Sequence, residues 1–116
     1  MRQRILIVDD HPTFRRFARR VLEEFGYEVV GEADSVAGAI EATARLRPAA
    51  VLLDILLPDG SGLDAVSRLA PTAAVVLTSS RSAEDFGLRL DEVHARGFIA
   101  KSTFSAQTFA ALIETA

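Results

Sequence analysis

Cysteine is absent from the 116 residues, which rules out both a disulfide framework and a thiolate metal site and fits a cytosolic chain. Long apolar runs are absent too: no stretch approaches the roughly 18 residues needed to span a bilayer. Arg2 and Arg4 precede the apolar run Ile5 to Val8, but that run is far too short for a signal peptide. A large excess of either charge is absent: 13 Lys and Arg stand against 16 Asp and Glu, and the net charge of −3 gives no general attraction to nucleic acid or to an anionic membrane. There is no low-complexity segment and no linker. The length fits one domain, residues 1–116, and the 49% hydrophobic content suffices for one core.

What the chain does have is alternation. Short apolar runs stand at Ile5-Leu6-Ile7-Val8, Val29-Val30, Ala50-Val51-Leu52-Leu53, Ala74-Val75-Val76-Leu77 and Phe98-Ile99-Ala100. The first, third and fourth are continuous, as strands are when both faces are covered in a parallel sheet. The second is flanked by Glu28 and Glu32, which suits an edge strand guarded by charge. Between these runs lie helical patterns. Phe14, Phe17, Ala18, Val21, Leu22 and Phe25 share one face, while Arg15, Arg16, Arg19, Arg20, Glu23 and Glu24 take the other. Pro12 suits a first turn and Gly26 a stop. Val36, Ala39, Ile40 and Ala44 mark a second helix ending near Pro48; Leu63, Val66 and Leu69 mark a third ending at Pro71. The last helix starts at Ser105, a good N-cap, with Phe104 and Phe109 placed for a hydrophobic staple. The stretch Ser82 to Ala95 is weak. Phe86, Leu90 and Val93 form a stripe that Gly87 interrupts, so a fourth helix there is expected to be short, displaced or mobile.

Strands alternating with helices imply an α/β, doubly wound parallel sheet with helices on both faces. In such sheets functional residues gather at the carboxyl ends of the strands. There the sequence places Asp9 and Asp10 after strand 1, Asp54 after strand 3, Thr78 and Ser79 after strand 4, and Lys101 after strand 5. Each has an ordinary alternative: a cap or turn for an aspartate, a β-former for Thr78, a solvated charge for Lys101. Their joint occurrence at four strand ends is harder to dismiss. Three neighbouring carboxylates repel unless a cation sits among them, and an oxygen donor set suits Mg²⁺. One carboxylate could then attack a phosphoryl group whose charge the metal and the lysine offset. His11 reads as an exposed residue at the start of a helix, with no role.

The segments ILIVDDHPTFRRFARRVLEEFGYEVVGEA, VLLDILLPDGSGLDAV, VVLTSS and ARGFIAKS resemble the receiver domains of two-component response regulators over essentially the whole chain. The resemblance implies a flavodoxin-like (βα)5 fold with strands in the order 2-1-3-4-5. It makes Asp54 the phosphorylated aspartate, Asp10 a direct ligand of Mg²⁺ (or of Mn²⁺ in its place), Asp9 a ligand acting through metal-bound water, and the backbone carbonyl of Leu56 a further ligand. Thr78 would hydrogen-bond the phosphoryl group, Lys101 would pair with it, and Phe98 matches the switch aromatic. Pro58, Gly60 and Gly62 match the turns that follow the acceptor. The implied partner is a histidine kinase or phosphotransfer protein. The implied output surface is the fourth helix, fifth strand and fifth helix, where a second receiver could dock to form a homodimer. Cytoplasmic location, no nucleic-acid or membrane contact by this chain and no independent enzymatic turnover follow from the same resemblance.

Two departures stand out: Lys101 is followed by Ser102 where proline is common, and Thr78 by Ser79 where alanine is common. A trans peptide is expected at Lys101–Ser102, because a cis bond without proline costs about 2.5–4 kcal/mol. Competing readings fit less well. A phosphatase of the haloacid dehalogenase type would place Asp-x-Asp after strand 1, where this chain has Asp9-Asp10-His11. A flavodoxin-like electron carrier would need a hydroxyl- and glycine-rich loop there, and a degenerate binding module would be expected to lose Asp54 or Lys101. The remaining alternative is a receiver cut from a longer DNA-binding regulator.

Overall fold

The computed structural model describes residues 2–86 and 93–114. Its elements run β1 (Arg4–Val8), α1 (Pro12–Phe25), β2 (Glu28–Ala33), α2 (Val36–Leu46), β3 (Ala50–Asp54), α3 (Gly62–Leu69), β4 (Ala74–Ser79), β5 (Gly97–Ala100) and α4 (Ala106–Ile113). The five strands form one sheet in the order β2-β1-β3-β4-β5, and every neighbouring pair is parallel. This is the expected 2-1-3-4-5 arrangement.

Continuous apolar strands are buried on both faces. Ile5, Ile7, Leu52, Val76 and Ile99 point into a core shared with Ala18 and Leu22 of α1 and Phe109 and Ile113 of α4. Leu6, Val8, Val51, Leu53, Val75 and Leu77 point the other way, onto Ala39 and Ala42 of α2 and Leu63, Val66 and Leu69 of α3. Each fully buried Leu or Ile contributes about 1.5–3 kcal/mol of hydrophobic stabilisation, so the strands anchor two cores at once.

Local chemistry sets the helix ends. Pro12 occupies the first turn of α1, and Gly26 ends it at φ 116°, where a side chain would be strained. Ser105 caps α4, its hydroxyl accepting from the Thr108 N–H at 3.1 Å while the Thr108 hydroxyl accepts from the Ser105 N–H at 3.1 Å. Phe104 meets Phe109 with ring centroids 6.3 Å apart, as a staple requires.

Some expectations need correction. Phe17 and Phe25, assigned to the buried face of α1, are 39% and 45% exposed; Phe17 packs beside the Phe14 and Phe104 rings, and Phe25 stacks on Tyr27. Ala44 is exposed; Ala42 and Thr43 turn inward instead. The arginine face of α1 is not simply solvated. Glu32 on edge strand β2 receives Arg15 Nε at 2.9 Å and Arg19 Nε at 3.0 Å. In the weak stretch, Ala83–Phe86 forms a single 3₁₀ turn, while Gly87 and Leu90 lie outside the described residues.

Candidate functional site

The carboxyl ends of β1, β3, β4 and β5 open on one edge, and the polar residues there are deeply placed. Asp9 and Thr78 have no exposed surface and Asp54 keeps 2%. Register explains the grouping: Val8 pairs with Leu53, so Asp9 follows beside Asp54, and Asp54 itself pairs with Thr78.

Lys101, at the end of β5, ties the carboxylates together. Its Nζ lies 2.7 Å from Asp9 Oδ2 and 3.2 Å from Asp54 Oδ2. The same ammonium sits 4.7 Å from the centroid of the Phe14 ring, a cation–π contact that holds the lysine stem over α1. The Lys101–Ser102 peptide is trans, as expected. Asp54 Oδ1 accepts the Leu56 N–H at 3.1 Å. Asp9 Oδ1 accepts the His11 N–H at 2.8 Å, and its carbonyl accepts Arg15 Nη1 at 2.6 Å.

Burial raises the Asp54 pKa above the usual carboxylate value, and the nearby Asp9 charge adds to the rise. The Leu56 N–H and the Lys101 ammonium oppose both. Three carboxylates thus face one ammonium, and the edge is short of positive charge. Asp10 Oδ1 is buried and accepts no aligned hydrogen bond, and Asp9 Oδ2 meets Lys101 as an ion contact without hydrogen-bond alignment. Donor atoms of Asp9, Asp10, His11 and Asp54 all lie within 4.8 Å of one another. Oxygen donors with acceptor capacity to spare fit a hard divalent cation.

Thr78 lies beside Asp54, but its hydroxyl turns across the sheet and donates to the Ile99 carbonyl at 2.6 Å. Phe98, paired with Leu77, is half-buried against the core on the α2 and α3 side. The close turn after Asp54 is made possible by Gly62: a Cβ there would come 2.3 Å from the Asp54 carbonyl oxygen.

Three participants escaped the sequence reading. Phe14 looked like ordinary core, and nothing in its spacing signals the ring beneath Lys101. Asp59 sits in a Pro-Asp-Gly turn, yet its carboxylate accepts the N–H groups of Val36 and Ala37 at 2.7 and 3.0 Å and so caps α2 from a distant loop. His11, assigned no role, brings its ring Nδ1 within 3.1 Å of Asp9 and 3.2 Å of Asp10. Its adjacency to Asp9-Asp10 was the available clue.

The family model for the response regulator receiver domain matches residues 5–114. The chain is 37% identical over 102 residues to a Pseudomonas aeruginosa protein described as a transcriptional regulator, covering 84% of this chain and 49% of that protein. It is 32% identical over 104 residues to the chemotaxis protein CheY of Thermotoga maritima, covering 87% of each. The chain therefore spans about half the length of the first relative and most of the second. Among solved structures, the signal receiver domain of the response regulator NarL from Mycobacterium tuberculosis superimposes with a TM-score of 0.89 at 26% identity, covering 99% of this chain and 98% of that one.

Proposed function

The chain belongs to the receiver-domain family of response regulators, and from that premise we propose that Asp54 accepts a phosphoryl group from the phosphohistidine of a partner kinase or phosphotransfer protein. The observation behind this reading is the buried Asp54 carboxylate, held by the Leu56 N–H on one oxygen and by Lys101 on the other.

An Asp54 oxygen attacks phosphorus, the P–N bond to the donor histidine breaks, and its electron pair leaves with the imidazole, which takes up a proton. The product is an acyl phosphate. Asp10, Asp54 and the Leu56 carbonyl would hold Mg²⁺ directly and Asp9 through metal-bound water; the bound ion, or Mn²⁺ in its place, would supply positive charge against the phosphoryl oxygens. Lys101 is already within 3.2 Å of the acceptor and needs little movement to pair with a phosphoryl oxygen. Loss of the group is hydrolysis of this acyl phosphate, so the domain has no independent substrate to turn over.

Signalling starts at Thr78. Bonding the phosphoryl group requires its hydroxyl to leave the Ile99 carbonyl, which loosens β5 at the residue after Phe98. Phe98 then turns inward and reshapes the surface of β5 and α4, where a target or a second receiver docks. Coverage of half of the Pseudomonas aeruginosa relative favours a receiver that is one part of a longer transcriptional regulator; near-complete coverage of CheY favours a free-standing one. The coding region beyond Ala116 distinguishes them. Among the described residues no helix is long and apolar enough to cross a membrane.

Acetyl phosphate with Mg²⁺ is expected to add one phosphoryl group per chain, seen by intact mass. Asp54→Asn is expected to abolish the addition; unchanged labelling in that variant would overturn the assignment.

A further inference from the structure

His11 stands at the acidic edge with nothing to do in this scheme. It starts α1 through its backbone alone. Its N–H bonds Asp9 Oδ1, its carbonyl accepts the Arg15 N–H at 3.1 Å, and its side chain makes no capping bond. Yet the ring turns toward the carboxylates. Nδ1 lies 3.1 Å from Asp9 Oδ1, 3.2 Å from Asp10 Oδ1 and 3.4 Å from Lys101 Nζ.

One nitrogen cannot donate to two carboxylates and also accept from an ammonium. The arrangement makes chemical sense around a cation: Asp9, Asp10, Asp54 and His11 are four donors converging on one small volume, and the Lys101 ammonium touches three of them. The buried Asp10 Oδ1, without an aligned hydrogen bond, faces the same place. The His11 side chain is 65% exposed, so its ring can adjust without disturbing the core.

We propose that His11 is a nitrogen ligand of the divalent metal site and biases that site away from Mg²⁺ toward ions that favour imidazole. This rests on the metal site in the proposed function. An all-oxygen set suits Mg²⁺, which gains little from imidazole. A neutral imidazole strengthens binding along the series from Mn²⁺ to Ni²⁺ and Cu²⁺. The residue after the aspartate pair therefore sets which metal the receiver carries when several compete.

The test uses the whole chain with His94→Ala as background, which leaves His11 as the sole imidazole. Calorimetric titrations with Mg²⁺ and with Ni²⁺ compare this parent with added His11→Ala or His11→Gln. The Ni²⁺ affinity is expected to fall about tenfold or more in both variants, with Mg²⁺ changing less than about threefold. Electron spin-echo modulation from an imidazole nitrogen is expected in the Mn²⁺ complex of the parent and not in the variants. Equal losses for Mg²⁺ and Ni²⁺, or a parent Mn²⁺ complex without nitrogen modulation, would overturn the role of His11 while leaving an oxygen-ligated site intact. A parent that binds no divalent ion would overturn the metal site itself, and the role of His11 with it.

Discussion

At the scale of single residues, Asp54 is placed for chemistry at some cost to the fold. Its carboxyl is buried beside Asp9, and its pKa is raised. A carboxyl whose folded pKa lies above its unfolded value binds protons more tightly when folded, so ionising it destabilises the fold at neutral pH and protonating it removes the penalty. Asp54→Asn is therefore expected to stabilise the metal-free protein at pH 7, by on the order of 1 kcal/mol or about 4 °C in Tm. The gain should shrink as pH falls through the raised pKa; thermal melts in chelator across pH check both statements. Much of this site was legible from the chain. Asp9, Asp10, Asp54, Thr78 and Lys101 each follow an apolar run, and a parallel sheet brings all such ends to one edge. What strand ends cannot reveal is where a side chain turns. The Thr78 hydroxyl is engaged with Ile99, and the Phe14 ring lies under Lys101, because of packing between elements far apart in sequence.

At the scale of elements, two residues between β3 and α3 fix the edge, Asp59 in the connection and Gly62 at the first position of α3. Gly62 opens α3 against the Asp54 carbonyl, and its N–H donates to the Ile55 carbonyl at 2.7 Å. A methyl group cannot fit between two backbones at 2.3 Å, so Gly62→Ala must push the turn away from Asp54. The expected result is a lower Tm together with slower labelling by acetyl phosphate, whereas a purely structural lesion would leave the labelling rate of the folded fraction unchanged. Asp59 anchors α2 from the same loop. The N–H groups of Ala37 and Val36 hold its carboxyl below the ordinary Asp value. A depressed folded pKa gives stability that is present above the unfolded pKa, about 3.9, and lost as pH falls through the folded one. Asp59→Ala should therefore melt earlier than the parent at pH 7 and converge with it in acid, as read by circular dichroism. Helix positions were readable from apolar spacing and from Pro12, Gly26 and Ser105. This capping contact was not, since it spans 22 and 23 residues and depends on how the loop after β3 folds back. Ala83–Phe86 forms a 3₁₀ turn, and the interruption at Gly87 that the sequence displays lies outside the described residues.

At the scale of the whole molecule, one sheet separates two cores, and the acidic edge lies where both end. Alternate residues of a strand serve opposite sides, so a shift of β5 is felt by α4 on one face and by Phe98 and Val93 on the other. Which protein reads that shift is not written in the apolar pattern, because the pattern encodes burial and the exposed surface is under weaker constraint. The bond from Thr78 to the Ile99 carbonyl has a further consequence. With Thr78 in its proposed role, the acidic edge and the β5 surface compete for a single proton donor, and competition of this kind is thermodynamically reciprocal. A target that prefers β5 with the Ile99 carbonyl released must tighten the binding of a phosphoryl mimic by the same factor by which the mimic tightens the target, typically 5- to 150-fold. Beryllofluoride titrations with and without the target should therefore return the same coupling constant as target titrations with and without beryllofluoride. Thr78→Val, which has no hydroxyl to share, should bring that constant close to one. On that proposal a downstream partner acts as an input as well as a reader, and its abundance sets how firmly the receiver holds its phosphorylated form.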